Sequence, residues 1–380
     1  MGATIPISVA LDNVLSVLIV LTWLASARLG EKLAGVRANP AAIATLAFLG
    51  LLVAGLAWGP GSLADGLHYL SKYRDLLLIA LLGAFITSER DRTQALDAFL
   101  AAMAITLVLS YAIRVGVWPV DNPPARYPGN PTVFKTHITH SLLMAIAAFL
   151  AADRALRAGQ RGWRIVYAAG AALAACNVFM VHGRSGYLVF AVLAVYLAVA
   201  HWRWRGLVGA FVAGSLIVVI SYVAYAPLFD RGADAAVELR DWQAGRAHDT
   251  STGFRMNYYK TTAAIVRDHP LLGVGTGGFV HAYREKIAGT GLPETPNPHN
   301  QYLLAAAQLG AVGLLALIAL FVVMWRQAGT LQPPTRVAAR GLVLAIAVGS
   351  LLNSFLIDHT EGLLFAWMAG VLFAAPRPAR

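Results

Sequence analysis

Three side chains in this sequence stand beside apolar runs in positions that suit chemistry on an anionic, lipid-linked molecule. The first is His299, in Pro296-Asn297-Pro298-His299-Asn300-Gln301-Tyr302-Leu303, where a polar stretch gives way to an apolar run reaching about Trp325. Pro298 fixes its own φ and biases Asn297 towards extended backbone, which defines where the helix starts. An imidazole at that boundary titrates near neutral pH and can take a proton from a hydroxyl. The same segment also reads as a helix cap anchored at the membrane surface. The other two are Arg184, in Val181-His182-Gly183-Arg184-Ser185-Gly186, and Arg255, which shares helical spacing with Tyr258, Tyr259 and Thr262. A guanidinium grips phosphate oxygens bidentately, and an arginine beside a spanning helix tends to face an anion or a cavity. A wet loop arginine is the competing reading for each.

What must position these groups is a membrane bundle. Hydrophobic residues make up 58% of the chain and charged residues 13%, far from the balance of a soluble protein. The net charge of +11 comes from short arginine clusters between apolar runs, with no continuous basic face, so nucleic acid is excluded as a partner and membrane topology explains the charge. The single Cys176 lies in an apolar run and excludes an intramolecular disulfide or a cysteine metal cluster. No cleavable signal peptide is expected, because the first apolar run is long and lacks a basic leader. Spanning runs are expected near 9–27, 40–58, 74–88, 95–115, 136–152, 165–182, 185–201, 206–226, 299–325, 341–357 and 362–375. That gives eleven spans, or twelve if the N-terminus is internal, with 62–74 either an interfacial helix or an extension of the third. Three parts follow: helices over 1–226, a polar segment over 227–298, and further helices over 299–380. Alternate connections carry the arginines, among them Arg154, Arg157, Arg161 and Arg164, and Arg377 and Arg380 in the tail. That side is expected to be cytoplasmic, with His299 on the other.

The segment 227–298 is too long for an idle connection. Asp230, Asp234, Glu238 and Asp241 read as an acidic helix face, solvated rather than metal-binding. Thr250 to Gly253 reads as the cap of an amphipathic helix over 254–269. Gly273-Val274-Gly275-Thr276-Gly277-Gly278 imitates a dinucleotide fingerprint, but no βαβ unit surrounds it. A flexible turn opening a helix over 279–287 is expected instead, with amides able to meet a phosphate. His137 and His140 share a helix face without a third ligand at metal spacing. Asp358, His359 and Glu361 occupy a late polar turn, where one acid could orient His299 or pair with an arginine.

The motifs Pro298-His299-Asn300-Gln301-Tyr302-Leu303, Gly273 to Phe279 and Arg184-Ser185-Gly186 resemble the superfamily of bacterial O-antigen ligases and polymerases. The resemblance implies an all-α, polytopic, GT-C-like membrane glycosyltransferase with one large helical periplasmic segment, in the bacterial inner membrane. It implies transfer of a glycan from undecaprenyl pyrophosphate to an acceptor at the periplasmic face, with no metal or other cofactor. His299 then corresponds to the general base and Arg184 and Arg255 to the pyrophosphate-binding pair, supported by Asp358, Asn300 and Tyr302. Ligation of O-antigen to a lipid A-core sugar is the first expectation. A polymerase or a protein O-oligosaccharyltransferase is the alternative within the family, and a lipid-phosphate transporter the alternative outside it. Arg184, Arg255 and His299 are expected to converge.

Overall fold

The computed structural model describes residues 1–59, 62–118, 130–181, 183–224, 236–245 and 250–374. Of the residues singled out above, His182, Asp230, Asp234, Arg377 and Arg380 lie outside them. The described chain is helical, without a strand. Its helices are α1 (Val9–Ala25), α2 (Leu29–Arg37), α3 (Pro40–Ala54), α4 (Leu63–Ser71), α5 (Leu78–Leu81), α6 (Glu89–Arg114), α7 (His137–Arg157), α8 (Arg161–Met180) and α9 (Arg184–Ala224). A helix over 236–243, α10, is followed by α11 (Ser251–Asp268), α12 (Phe279–Ile287), α13 (Gln301–Ala328), α14 (Pro333–Gly349) and α15 (His359–Leu372).

Six of these are long and apolar enough to cross a membrane, or seven with the bent α1–α2 pair. The expected runs are nearly all present as helix, but several fall short of a full span. The run at 74–88 breaks into two 3₁₀ turns flanking the four-residue α5, and α15 has only 14 residues. Both pieces pack on each other inside the bundle, so protein rather than lipid surrounds them and membrane thickness does not set their length. The boundary expected between 201 and 206 is a break at Arg203, whose φ is 56°. Within residues 62–74 stands the separate helix α4, opened by a Ser62–Asp65 capping box.

The core gathers around α7, α13 and α15. α7 packs on α8, α9 and α14, while α13 packs on α3, α11 and α14. Nearly every α7 residue between Thr139 and Ala151 is buried, so this span sits inside the bundle. α13 is interrupted at Gly310 (φ 62°), and the glycine-rich loop fills the interruption. Val274 and Gly275 donate to the carbonyls of Ala307 and Gln308 (both 2.8 Å), Ala311 donates to Pro270 O (2.8 Å), and Thr276 donates to Gly55 O (2.9 Å). The loop is therefore a backbone wedge between α3, α4 and α13 rather than a flexible turn. Its amides at 274–276 satisfy carbonyls freed by the breaks and are not offered to a phosphate. A side chain has no room there: a Cβ on Gly275 (φ 79°) would lie 2.5 Å from the backbone of Gly59.

Candidate active site

The helix start at Pro298 turns more sharply than the proline alone requires. His299 adopts the left-handed region (φ 52°), with its amide donating 2.8 Å to Asn297 Oδ1. Histidine tolerates that region better than most residues, at a cost of about 1–2 kcal/mol. The cap is Asn300, whose side chain accepts from the amides of Tyr302 and Leu303, each at 3.0 Å. Capping thus falls to Asn300, and no ring nitrogen of His299 is hydrogen-bonded among the described residues. Burial first, and the Arg255 charge second, lower the His299 pKa below its ordinary value, which favours the neutral imidazole over the cation.

The α11 helix links this imidazole to both arginines. Thr250 caps it by accepting from Gly253 N at 3.0 Å. Thr252 Oγ1 accepts from Arg184 Nη1 at 3.1 Å. One turn on, Arg255 is close enough for its charge to act on His299. The Tyr258 ring lies 5.7 Å from the imidazole, and the Tyr259 hydroxyl reaches His299 O (3.3 Å) and Leu351 O (3.2 Å). The positions 252, 255, 258 and 259 share one face of α11, the spacing visible in sequence.

Glu238 is the residue that sequence reading placed wrongly. Instead of a solvated face, its carboxylate stands 3.9 Å from Arg184 Nη1 and accepts from the amide of Thr252 at 3.2 Å. A carboxylate is thus held between a guanidinium and a helix start, which is a setting for an anion. Its four-residue spacing hinted at a helix, but not at what the helix would meet.

Asp358 does not join this group. Burial and the neighbouring Glu361 raise its pKa, Lys72 opposes them, and neither His299 nor an arginine pairs with it among the described residues. Tyr302 donates to Ala347 O at 2.8 Å and Asn300 Nδ2 to Leu351 O at 3.0 Å, so both tie α13 to the end of α14. His140 bonds Asn177 Oδ1 (2.8 Å), and no group of three metal-ligating side chains occurs among the described residues.

The tie through Tyr259 predicts a modest, specific effect. Tyr259→Phe should lower turnover about three- to tenfold and stability by about 1 kcal/mol, as loss of a single partly buried hydrogen bond would. Initial rates and thermal melts of the two proteins check this.

Spanning helices around a buried α7, with polar helices gathered at the His299 end, define a polytopic helical membrane protein. Within it, residues 169–318 match the family model described as O-antigen ligase. The match bears out the resemblance to the O-antigen ligase superfamily that the chain's motifs carry. It includes Arg184, Arg255 and His299 and ends before Asp358. No curated protein matches the chain significantly. The match supports glycosyltransferase-like activity of the ligase or polymerase type, on polysaccharide and lipid substrates.

Proposed function

We propose that the protein transfers a glycan from undecaprenyl pyrophosphate to a hydroxyl of the lipid A-core, at the periplasmic face of the bacterial inner membrane. The observation that carries this reading is the α11 face, which brings together two guanidiniums and an imidazole whose ring nitrogens have no hydrogen-bond partner among the described residues. His299 accepts the proton of the acceptor hydroxyl as its oxygen attacks the anomeric carbon. The bond from that carbon to the pyrophosphate breaks, and the electron pair leaves with the phosphate oxygen. Arg184 and Arg255 stabilise the charge that develops there. A single displacement inverts the anomeric centre. Asn300 and Tyr302 hold the backbone from which His299 projects.

The test is transfer from purified undecaprenyl pyrophosphate-linked glycan to lipid A-core, in detergent with EDTA. Product from the wild type and none from a His299 variant supports the ligase reading. Elongation of the donor glycan instead would assign polymerase activity, and modification of a protein would assign an oligosaccharyltransferase.

The arginines should separate from His299 in kinetics. Arg184→Ala is expected to raise the donor KM and lower kcat/KM by about 10²-fold, the scale of losing one charged hydrogen-bond partner to phosphate. Glu238→Gln should act oppositely and lower the donor KM, because it removes the anion that competes for Arg184. Saturation curves in donor at fixed acceptor decide both.

A further inference from the structure

The opposite end of the bundle carries a second set of concavities that glycan transfer at His299 does not use. From His137 to Arg154, α7 runs roughly 25 Å away from the Arg184 turn. There an apolar groove of about 560 Å³ lies between α6, α7 and α8, walled by Ala101, Ala104, Ala147, Ala151, Gly170 and Ala174. These small side chains leave the room, and a Cβ built on Gly170 meets nothing within 4 Å. Ile105 and Val108 on α6 and Ile165 and Val166 on α8 are exposed beside it, so the groove opens towards the bilayer.

The groove leads into a polar chamber. Arg154, Trp163 and Tyr167 line the groove and also a cleft of about 640 Å³ that contains Arg157, Gln160 and Asp153. Among the described residues Arg154 hydrogen-bonds only through Nη1, to Asp97 and Tyr167, and Arg157 only through Nε, to Asp153. Their remaining guanidinium N–H groups have no partner among the described residues. The carboxylates are already engaged: Asp153 also meets His201, and Glu89 meets Arg92 and Thr335. The chamber also receives the start of α8, where Gln160 offers no side-chain cap. Its first amides and positive dipole end therefore lie beside the cleft. Between residues 154 and 164 the chain has four arginines and no carboxylate.

An apolar slot that ends at guanidiniums and an uncapped helix start matches a lipid with a phosphate at its head. We propose that this composite cavity binds one anionic glycerophospholipid, with an acyl chain in the α6–α7–α8 groove and its phosphate diester at Arg154, Arg157 and the start of α8. The cleft's own arginines are matched by Glu89, Asp97 and Asp153, so selection of an anionic over a zwitterionic headgroup rests on the unpartnered N–H groups of Arg154 and Arg157, the start of α8, and Arg161 and Arg164 just beyond the lining.

Delipidated full-length protein in detergent, titrated with phosphatidylglycerol or phosphatidylcholine of matched chains, tests this by native mass spectrometry. One phosphatidylglycerol per chain should be retained, roughly tenfold or more tightly than phosphatidylcholine. Gly170→Phe, which fills the groove, should abolish retention, and Arg157→Gln should reduce the headgroup preference several-fold. Equal retention of the two lipids by the wild type overturns the proposal, as does undiminished retention by Gly170→Phe. If that variant does not fold, the headgroup comparison on the wild type decides alone. None of these readouts depends on glycan transfer.

Discussion

His299→Asn is expected to leave the fold intact and lower kcat by about 10²–10⁴-fold, the range that general base catalysis contributes. Asparagine is the informative replacement because it accepts the left-handed backbone at position 299 (φ 52°) and cannot act as a base. Alanine would mix lost chemistry with backbone strain. The pH profile adds a second readout. Burial and Arg255 lower the His299 pKa, so the acidic limb of kcat/KM should fall below the ordinary histidine range. Arg255→Gln removes the smaller of the two causes, so the pKa rises and the acidic limb moves to higher pH. Stability follows the same sign: the unfolded chain protonates near 6.5 while the folded one resists. The contribution of this group is therefore present above that pH and lost as pH falls. A turnover for His299→Asn within threefold of wild type would return the imidazole to a surface anchor.

Gly275→Ala should prevent stable folding, with a cost of about 3 kcal/mol or more. The added methyl would enter the left-handed region at φ 79° and approach the Gly59 backbone at 2.5 Å, where no flexible side chain can give way. Displacing the loop would also strip the carbonyls of Ala307, Gln308 and Gly55 of their donors. Gly310→Ala should behave alike, since its Cβ would lie 2.2 Å from the Leu271 backbone. Gly170→Ala, in open space inside α8, is the control and should be neutral or stabilise by up to about 1 kcal/mol. Thermal melts in detergent with recovered yield compare the three. Survival of Gly275→Ala at wild-type melting temperature would mean that the wedge is not needed to hold the broken span.

Much of this was readable without coordinates because a membrane imposes strong local rules. Apolar runs bounded by charge had to become helices, since lipid offers backbone groups no other partner. The motif around His299, the Thr250 cap and the spacing of Arg255, Tyr258 and Tyr259 needed only helical periodicity and turn chemistry. The division of long runs into full spans and short buried pieces was not readable in the same way. Hydropathy records transfer out of water and does not distinguish a helix in lipid from one in protein, as with α15 and the turns around α5.

Tertiary structure alone decided three other matters. The glycine-rich loop reads as flexible in sequence, and its rigidity comes from carbonyls more than 30 residues away in α13 and more than 200 away in the Gly55 turn. Glu238 reads as one of four acids on a wet face, until α10 brings it to Arg184 and the start of α11. Asp358 sits in the turn where an acid for His299 was expected, yet faces Lys72 and Glu361. Sequence by itself determined which segments are helical and which residue types stand at their ends, because those follow from short-range sterics and the solvent. Which ends meet was settled only by packing, because that depends on breaks such as Gly310, whose carbonyls must find donors from elsewhere in the chain.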